Sequence, residues 1–269
     1  MRRSVASVVT ATGLLAGLAC FAPVSPAAPP AGAPLPASAT AASPSGTLVV
    51  SAAASLSDVF PKIAEAFTRR YPGTTVTLNF GGSATLVTQV LSGAPVDVLA
   101  TASEASMWKA INAGAVNRPF IFAKNSMAIA MPPDNPARIS SLADLSRPGV
   151  LVGLCDIAVP CGTAAADLLN RNKVTVTPVT RELDVRALLA KVVSGDLDAG
   201  IVYVTDVRAV GNKVSAITIP AAANVTTTYP IAAVSRSPNL QLAAAFVNYV
   251  RFSRSAQGLL RAYGFARPW

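Results

Sequence analysis

The 269-residue chain contains no histidine. This absence excludes Ser-His-Asp and Cys-His catalytic arrangements, and it also removes the imidazole ligands of the usual protein metal sites. Asp and Glu together number only 13, and no two of them form a convincing acid–base pair. The sequence therefore argues against most classes of enzyme, although catalysis by a cysteine or a carboxylate stays open.

Aromatic residues are also scarce, at 6% of the chain, although 22 Lys and Arg give a net charge of +9. The basic residues are scattered, and they are not interleaved with aromatic residues on one face as nucleic-acid grooves require. We interpret them as a solvated basic surface and predict no nucleic-acid partner.

The N-terminus has the features of an export signal. Residues 1–20 begin with Arg2 and Arg3, continue through a short apolar run and end at Cys20, which predicts a signal peptide rather than a membrane span. Residues 17–20, Gly-Leu-Ala-Cys, resemble the cleavage motif of bacterial lipoproteins, except that Gly17 stands where Leu is usual. We predict lipidation of Cys20, and the alternative is ordinary signal cleavage further along.

The next segment, residues 21–46, consists of Ala, Pro, Ser, Gly and a few other uncharged residues. Such a composition cannot bury a core and predicts a disordered tether. A tether beside a lipidated Cys20 would keep the rest of the chain close to the membrane surface.

The stretch from Thr47 to Phe60 is predicted to be a buried strand that turns directly into a helix. An apolar run is followed by three alanines and then by Ser55, and apolar residues recur at helical spacing beyond it. Ser55 occupies the position expected of an N-cap. Such a turn presents free backbone N–H groups, a hydroxyl and the positive end of a helix dipole, which together favour an anion. Ser55 as a helix cap alone is the other interpretation.

Strand and helix patterns alternate from Thr47 to the C-terminus, which predicts an α/β fold with a mostly parallel sheet in each half. The apolar segment 120–131 is predicted to be extended but broken at 124–126, and 174–179 is predicted to be extended. Ligands of such folds lie at the carboxyl ends of strands. The turns at Ser55, Ser83 and Cys161 fall at such positions.

Seven short blocks, taken in order, resemble the bacterial molybdate-binding proteins, the extracytoplasmic receptors of molybdate ABC importers. The resemblance extends from about Thr47 to the end of the chain. The blocks are Ala52-Ala53-Ala54-Ser55-Leu56, Gly82-Ser83-Ala84-Thr85-Leu86, Gly93-Ala94-Pro95-Val96-Asp97-Val98, Val159-Pro160-Cys161-Gly162, Asp184-Val185-Arg186, Gly200-Ile201-Val202-Tyr203 and Tyr263-Gly264-Phe265.

The resemblance implies a two-lobed periplasmic-binding-protein fold of class II, with the ligand in a cleft between the lobes. Residues 47–125 and 229–269 would form lobe 1, and residues 126–228 would form lobe 2. It also implies a monomer that binds molybdate or tungstate, has no cofactor and delivers its ligand to an ABC permease and its ATPase. Only the possible lipid anchor would contact the membrane.

The resemblance further implies which groups hold the oxyanion. Ser55 and Ser83 would each supply a hydroxyl and a backbone N–H, Cys161 and Val185 would supply backbone N–H groups, and Tyr203 would supply its phenol. No residue is expected to ligate a metal cation directly. A tetrahedral dianion needs donors and no acceptors, and each hydrogen bond to a charged group contributes roughly 1.5–3 kcal/mol. Each of these residues could instead serve only packing or capping.

Cys161 departs from the family pattern, since Ala is frequent there, and Cys155 is not a general feature of the family. Backbone donation tolerates this change. In an oxidising compartment the two cysteines could close a disulfide, and we predict a Cys155–Cys161 bridge, with two free thiols as the alternative.

Three other functions stay open at this point. The chain could bind sulfate, phosphate or another oxyanion, it could be an enzyme using Cys161 or a carboxylate, or it could be a cell-envelope protein that only keeps the fold. We expect a binding protein and not an enzyme.

Overall fold

The computed structural model describes residues 44–269. In this part of the chain no helix is long and apolar enough to cross a membrane. The elements, in chain order, are β1 (Gly46–Ala53), a 3-10 helix (Ala54–Leu56), α1 (Val59–Arg70), β2 (Thr74–Gly81), α2 (Ser83–Leu91), β3 (Val98–Ala100), α3 (Glu104–Asn112), β4 (Phe120–Met131), a 3-10 helix (Leu142–Ser146), β5 (Val152–Cys155), α4 (Pro160–Arg171), β6 (Thr180–Glu182), α5 (Val185–Val193), β7 (Ala199–Tyr203), α6 (Val204–Val210), a 3-10 helix (Gly211–Lys213), β8 (Ser215–Thr218), β9 (Thr226–Ala233), α7 (Leu240–Phe252) and α8 (Arg254–Ala262).

Within residues 44–269, eight strands are hydrogen-bonded in the order β2-β1-β3-β9-β4-β7-β5-β6, and the ninth strand, β8, pairs with β4. The pairs β1–β2, β1–β3, β5–β6 and β5–β7 are parallel, whereas every pair that involves β4 or β9 is antiparallel. The predicted α/β class is confirmed. The sheet as a whole is mixed, because two long antiparallel strands connect its parallel ends.

The elements divide into two halves around β4 and β9. In the first half, helices α1, α7 and α8 pack with β1 around Phe60, Phe67 and Phe246, and helices α2 and α3 form a second cluster that includes Leu86 and Met107. In the second half, β5–β8 and helices α4–α6 pack around a separate set of buried aliphatic residues. Strand β4 pairs with β9 from Phe120 to Ser126 and with β7 from Met127 onwards. The same strand thus runs from one half into the other.

One sequence-based expectation for the strands was wrong. Residues 124–126 do not break β4, because the polar side chain of Asn125 is buried and donates to Thr205 Oγ1 over 2.7 Å. Residues 174–179 form no strand, and β6 begins later, at Thr180. The apolar alternation at Val174 and Val176 reflects packing against the second half.

Residues 1–43 lie outside the described part of the chain. The predicted signal peptide, Cys20 and most of the predicted tether therefore lie outside it too. Gly46, which the sequence assigned to the tether, is the first residue of β1.

Candidate functional site

Ser55 is in the short 3-10 helix that follows β1 and is almost fully buried. The prediction that it caps α1 was wrong, since α1 begins at Val59 after Asp58 and the Ser55 hydroxyl shares a 2.8 Å hydrogen bond with the hydroxyl of Tyr229. Buried Leu56, Val59 and Phe60 continue the apolar spacing across the junction, so the sequence resembles one uninterrupted helix.

Ser83 is the first residue of α2, directly after β2, and Gly82 precedes it as the N-cap. Its hydroxyl accepts a 3.1 Å hydrogen bond from the backbone N–H of Ala102, just beyond β3. Ser83 therefore does not cap its own helix. The bond fixes its side chain at the carboxyl ends of β2 and β3, the two strands that flank β1.

Cys161 and Val185 lie at the N-termini of two helices of the second half. Cys161 is the second residue of α4, after Pro160, and Val185 is the first residue of α5. The Asp184 side chain accepts from the N–H groups of Arg186 and Ala187, so this cap leaves the N–H of Val185 unused. Both residues thus carry N–H groups of the kind that lack an intrahelical acceptor.

Tyr203 ends β7 and is 1% exposed. Its hydroxyl oxygen is buried beside the side chains of Thr227 and Tyr229, but it makes no well-aligned hydrogen bond to either of them or to any other residue in 44–269. Burial raises the pKa of Tyr203 well above its usual value, so the phenol keeps its proton at neutral pH and can donate. A buried donor without an acceptor is costly unless a ligand supplies one.

These five predicted site residues line one cavity between the two halves. The cavity is also lined by small or apolar residues and one acid, namely Ala53, Ala54, Gly81, Gly82, Ala102, Val159, Pro160, Leu183 and Asp184. Its volume is about 20 Å³. That space exceeds what one water needs, and it is far below the size of sites for drug-sized ligands.

No Lys or Arg is among the residues that line the cavity. The N-termini of α2, α4 and α5 and the 3-10 helix after β1 all contribute to its wall. Helix N-termini carry partial positive charge and free N–H groups, so the arrangement suits a small anion. Within 44–269 no group of three or more His, Cys, Asp or Glu side chains could hold a metal cation.

A buried polar network supports Ser55 from behind. Tyr229 of β9 holds the Ser55 hydroxyl, and Asn125 of β4 donates to Tyr229 over 3.3 Å. The Tyr229 ring packs edge-on against Phe265 and Tyr203, with centroids 5.3 and 6.1 Å away. Phe265, in the C-terminal block that the sequence resemblance included, therefore supports the site by packing against Tyr229.

Three charged residues lie beside the cavity. Arg186 of α5 forms ion pairs with Asp58, which precedes α1, and with Asp206 of α6, whose Oδ1 is 3.2 Å from the arginine Nε. Asp206 also accepts from the backbone N–H of Tyr203 over 3.0 Å. Burial raises the pKa of Asp206 from 3.8 to about 6, although Arg186 acts in the opposite direction.

The sequence missed this charged cluster and the Tyr229 network. Arg186 stood in a block that the sequence singled out, but its partners are far away along the chain. Asp206 follows Tyr203 by three residues, which is the only local signal for its position. By contrast, Asp97 in another singled-out block is structural, since it binds the N–H of Val49 and the hydroxyl of Ser237 away from the cavity.

The predicted Cys155–Cys161 disulfide is present, with the two Cα atoms 5.7 Å apart. It joins the end of β5 to the first turn of α4, and both cysteines are buried. The bridge therefore closes the loop that presents the N–H of Cys161. Gly162 is needed in this loop, because a Cβ there would meet the main-chain oxygens of Cys155 and Asp156 at less than 3.0 Å.

The family model for bacterial extracellular solute-binding proteins matches residues 48–266. The chain belongs to this family. This solute-binding protein is 40% identical over 256 residues to the molybdate-binding protein ModA of Mycobacterium tuberculosis, and the match covers 95% of each chain. The resemblance inferred from the seven sequence blocks is thus confirmed.

Two solved structures share the fold of this solute-binding protein. The periplasmic molybdate-binding protein of Azotobacter vinelandii superposes with a TM-score of 0.73 at 19% identity, covering 82% of this chain and all of the other. The sulfate-binding protein SubI of Mycobacterium tuberculosis gives a TM-score of 0.70 at 22% identity, covering 82% of this chain and 87% of the other. These likenesses confirm the periplasmic-binding-protein fold.

Proposed function

We propose that this protein binds molybdate, and also tungstate, outside the cytoplasm and delivers it to an ABC importer. The observation that carries the proposal is that Ser55, Ser83, Cys161, Val185 and Tyr203 all line one small cavity without a lysine or arginine. The 40% identity to a molybdate-binding protein supports the same ligand. The role is binding and release, and it requires no catalytic group.

The ligand set consists of neutral donors. Ser55 and Ser83 supply hydroxyl and backbone N–H groups, Cys161 and Val185 supply backbone N–H groups, and Tyr203 supplies its phenol. Rigid neutral donors stabilise a dianion because each bond to a charged acceptor is worth roughly 1.5–3 kcal/mol. Selection then depends on cavity size, and molybdate and tungstate are larger than sulfate and reach donors that sulfate leaves unpaired.

Sulfate is the second candidate, because a sulfate-binding protein shares the fold and a neutral donor cavity would also accept sulfate. A thermal-shift series with molybdate, tungstate, sulfate and phosphate separates the two. A ligand at a thousand times its Kd stabilises the folded protein by roughly 4 kcal/mol. We expect a large shift with molybdate and tungstate and none with sulfate, and an equal shift with sulfate would refute the proposed selectivity.

The site assignment is tested by Ser83→Ala and Tyr203→Phe, each of which removes one donor from the cavity. Both substitutions should weaken the molybdate shift, by roughly tenfold or more in Kd for the loss of a bond to a charged group. Ser92→Ala serves as a control, because Ser92 is exposed beyond the end of α2 and does not line the cavity. Unchanged affinity in both site variants would place the anion elsewhere.

We further propose that residues 47–125 with 229–269 and residues 126–228 are two lobes that close over the anion. The separate cores of the two halves support this division. The finer localisation, a monomer anchored through a lipidated Cys20, is proposed from the sequence alone. The intact mass of the mature protein tests the anchor, and a mature N-terminus beyond Cys20 would refute it.

A further inference from the structure

The two halves of the protein meet through an ion pair at the edge of the cavity. Asp58 belongs to the first half and lies three residues beyond Ser55, and Arg186 belongs to the second half and directly follows Val185. Their side chains form an ion pair although the two residues are 128 positions apart in the sequence. Both side chains are partly buried, with 38% and 23% exposed. The pair therefore connects the two donor segments directly.

Arg186 is held from the second half by Asp206. The Asp206 side chain is fully buried, pairs with Nε of Arg186 at 3.2 Å and accepts from the N–H of Tyr203. One guanidinium can serve both carboxylates because its donors are fixed in a planar fork. Asp206 thus orients the arginine toward Asp58 when the halves approach.

A second contact between the halves lies on the cavity wall at Gly82. A Cβ added to Gly82 would lie closer than 3.0 Å to the main-chain oxygen of Leu183, in the segment before α5. The backbone of Gly82 has φ −61° and ψ 134°, which any residue can adopt. Glycine is needed here because of the close approach of the other half and not because of its own conformation.

We propose that Asp58, Arg186 and Gly82 are positioning residues for anion binding, which hold the two halves together over the cavity. The Asp58 and Arg186 side chains do not line the cavity, and Gly82 contributes only backbone to its wall. The inference rests on the proposed function. Asp58 and Arg186 form an ionic latch, and Gly82 allows the facing backbones to approach closely enough for the latch to engage. Affinity therefore depends on contacts between the halves as well as on the five donors.

The charges around Arg186 make it possible to distinguish an ionic latch between the halves from long-range electrostatic attraction of the anion. Asp184 lines the cavity, and Asp58 and Asp206 lie behind its wall as the partners of Arg186. Removing the negative charge of Asp58 would strengthen the binding of a dianion if long-range attraction dominated. A latch gives the opposite sign, because the closed form loses its ion pair while the open form loses nothing.

The first test is Asp58→Asn, measured by calorimetric titration with molybdate. We expect Kd to rise by about threefold to tenfold, in line with a partly buried ion pair. Glu65→Gln is the matched control, because it removes an exposed acid that pairs with Arg69 on α1 and does not line the cavity. It should leave Kd unchanged. A lower or unchanged Kd in Asp58→Asn would overturn the latch.

The second test is Gly82→Ala, with Gly258→Ala as its control. A methyl group at Gly258 meets nothing closer than 4.0 Å, so that variant should bind as the wild type does. Gly82→Ala should raise Kd by about tenfold or more, since it forces apart two backbones. At saturating molybdate the radius of gyration of this variant should stay near that of the free protein. If it instead decreased on binding as much as the radius of the wild type does, the proposed role of Gly82 would be overturned.

The failure of this inference differs from the failure of the proposed function. If the wild type binds molybdate and both variants bind equally well, the latch is wrong and the proposed function stands. If the wild type binds neither molybdate nor tungstate in the calorimeter, the proposed function fails and the latch fails with it.

Discussion

The hydroxyl of Tyr203 lies beside the side chains of Thr227 and Tyr229 but makes no well-aligned hydrogen bond within residues 44–269, and its removal should have opposite effects on stability and binding. In Tyr203→Phe, the ligand-free protein loses a buried polar group that makes no hydrogen bond to any described residue. Its free energy of unfolding should therefore stay constant or rise by up to about 1 kcal/mol, whereas molybdate affinity should fall. Chemical denaturation with and without molybdate measures both quantities.

Ser55→Ala provides the contrast to Tyr203→Phe. The Ser55 hydroxyl is bonded to Tyr229 at 2.8 Å, so its removal should destabilise the ligand-free protein by about 1–3 kcal/mol and also weaken binding. If Tyr203→Phe destabilised the free protein to the same extent, the Tyr203 hydroxyl would make a stabilising hydrogen bond inside the ligand-free protein, which would contradict this prediction.

Asp206 makes a second residue-scale prediction, on the pH dependence of stability. Its pKa is raised by burial from 3.8 to about 6 in the folded protein, so the folded state holds this proton more tightly than the unfolded state does. The resulting stabilisation is fully present below about pH 4 and is lost as the pH rises through 6. A shift of this size corresponds to roughly 3 kcal/mol at most.

The variant Asp206→Asn isolates that contribution, because the amide does not titrate. Between pH 4 and pH 7, the free energy of unfolding of the wild type should fall relative to that of the variant. The difference in the free energy of unfolding between the two proteins does not depend on groups that titrate equally in both. Asp144 is such a group, and hydrogen bonds lower its pKa to about 2. A difference that does not vary with pH would show that Asp206 has an ordinary pKa.

At the residue scale, sequence reasoning identified five residues that line the cavity but not the groups that hold them. Ser55 and Tyr203 lie in short blocks whose small residues and turn positions are visible locally. The partner of Ser55 is Tyr229, 174 residues away, and the partner of Arg186 in the first half is Asp58. Such pairs depend on how β4 and β9 bring the halves together, and no local pattern encodes that geometry.

At the scale of elements, the Cys155–Cys161 bridge fixes the start of α4. In the double variant Cys155→Ala and Cys161→Ala, a loop with a sequence separation of six residues is no longer closed. The chain-entropy relation predicts a loss of about 2 kcal/mol of stability for so short a loop. Molybdate should still bind, though more weakly, because the proposed donor is the N–H of Cys161 and not its sulfur.

Denaturation of the wild type with and without a reductant provides the matching measurement on unaltered side chains. Both approaches should give similar losses of stability. Abolished binding in the double variant, with the fold intact, would mean that the sulfur atoms themselves are required at the site.

The helix and strand order was predictable because alternating apolar patterns and turn residues mark most elements. The boundaries near the site were less predictable for a physical reason. At the start of α1 the apolar spacing continues through the 3-10 helix, so Ser55 resembled a cap. At Asn125 the polar residue finds buried partners in Thr205 and Tyr229, so a strand continues where the local sequence predicted a break.

For the whole molecule, we predict that binding makes the protein more compact. The donors come from both halves, so they can surround an anion fully only when the halves approach, as in hinge closure. X-ray scattering should give a smaller radius of gyration with molybdate than without it, and sulfate should have no effect. Equal radii with and without molybdate would contradict the closure of two lobes over the ligand.

The absence of lysine and arginine from the cavity wall has a consequence for unloading at the transporter. An oxyanion held by main-chain and hydroxyl dipoles has no full counter-charge to leave behind, and water offers the same kind of hydrogen bond as soon as the walls part. A transporter that pulls the halves open would therefore discharge the cargo without first neutralising any side chain.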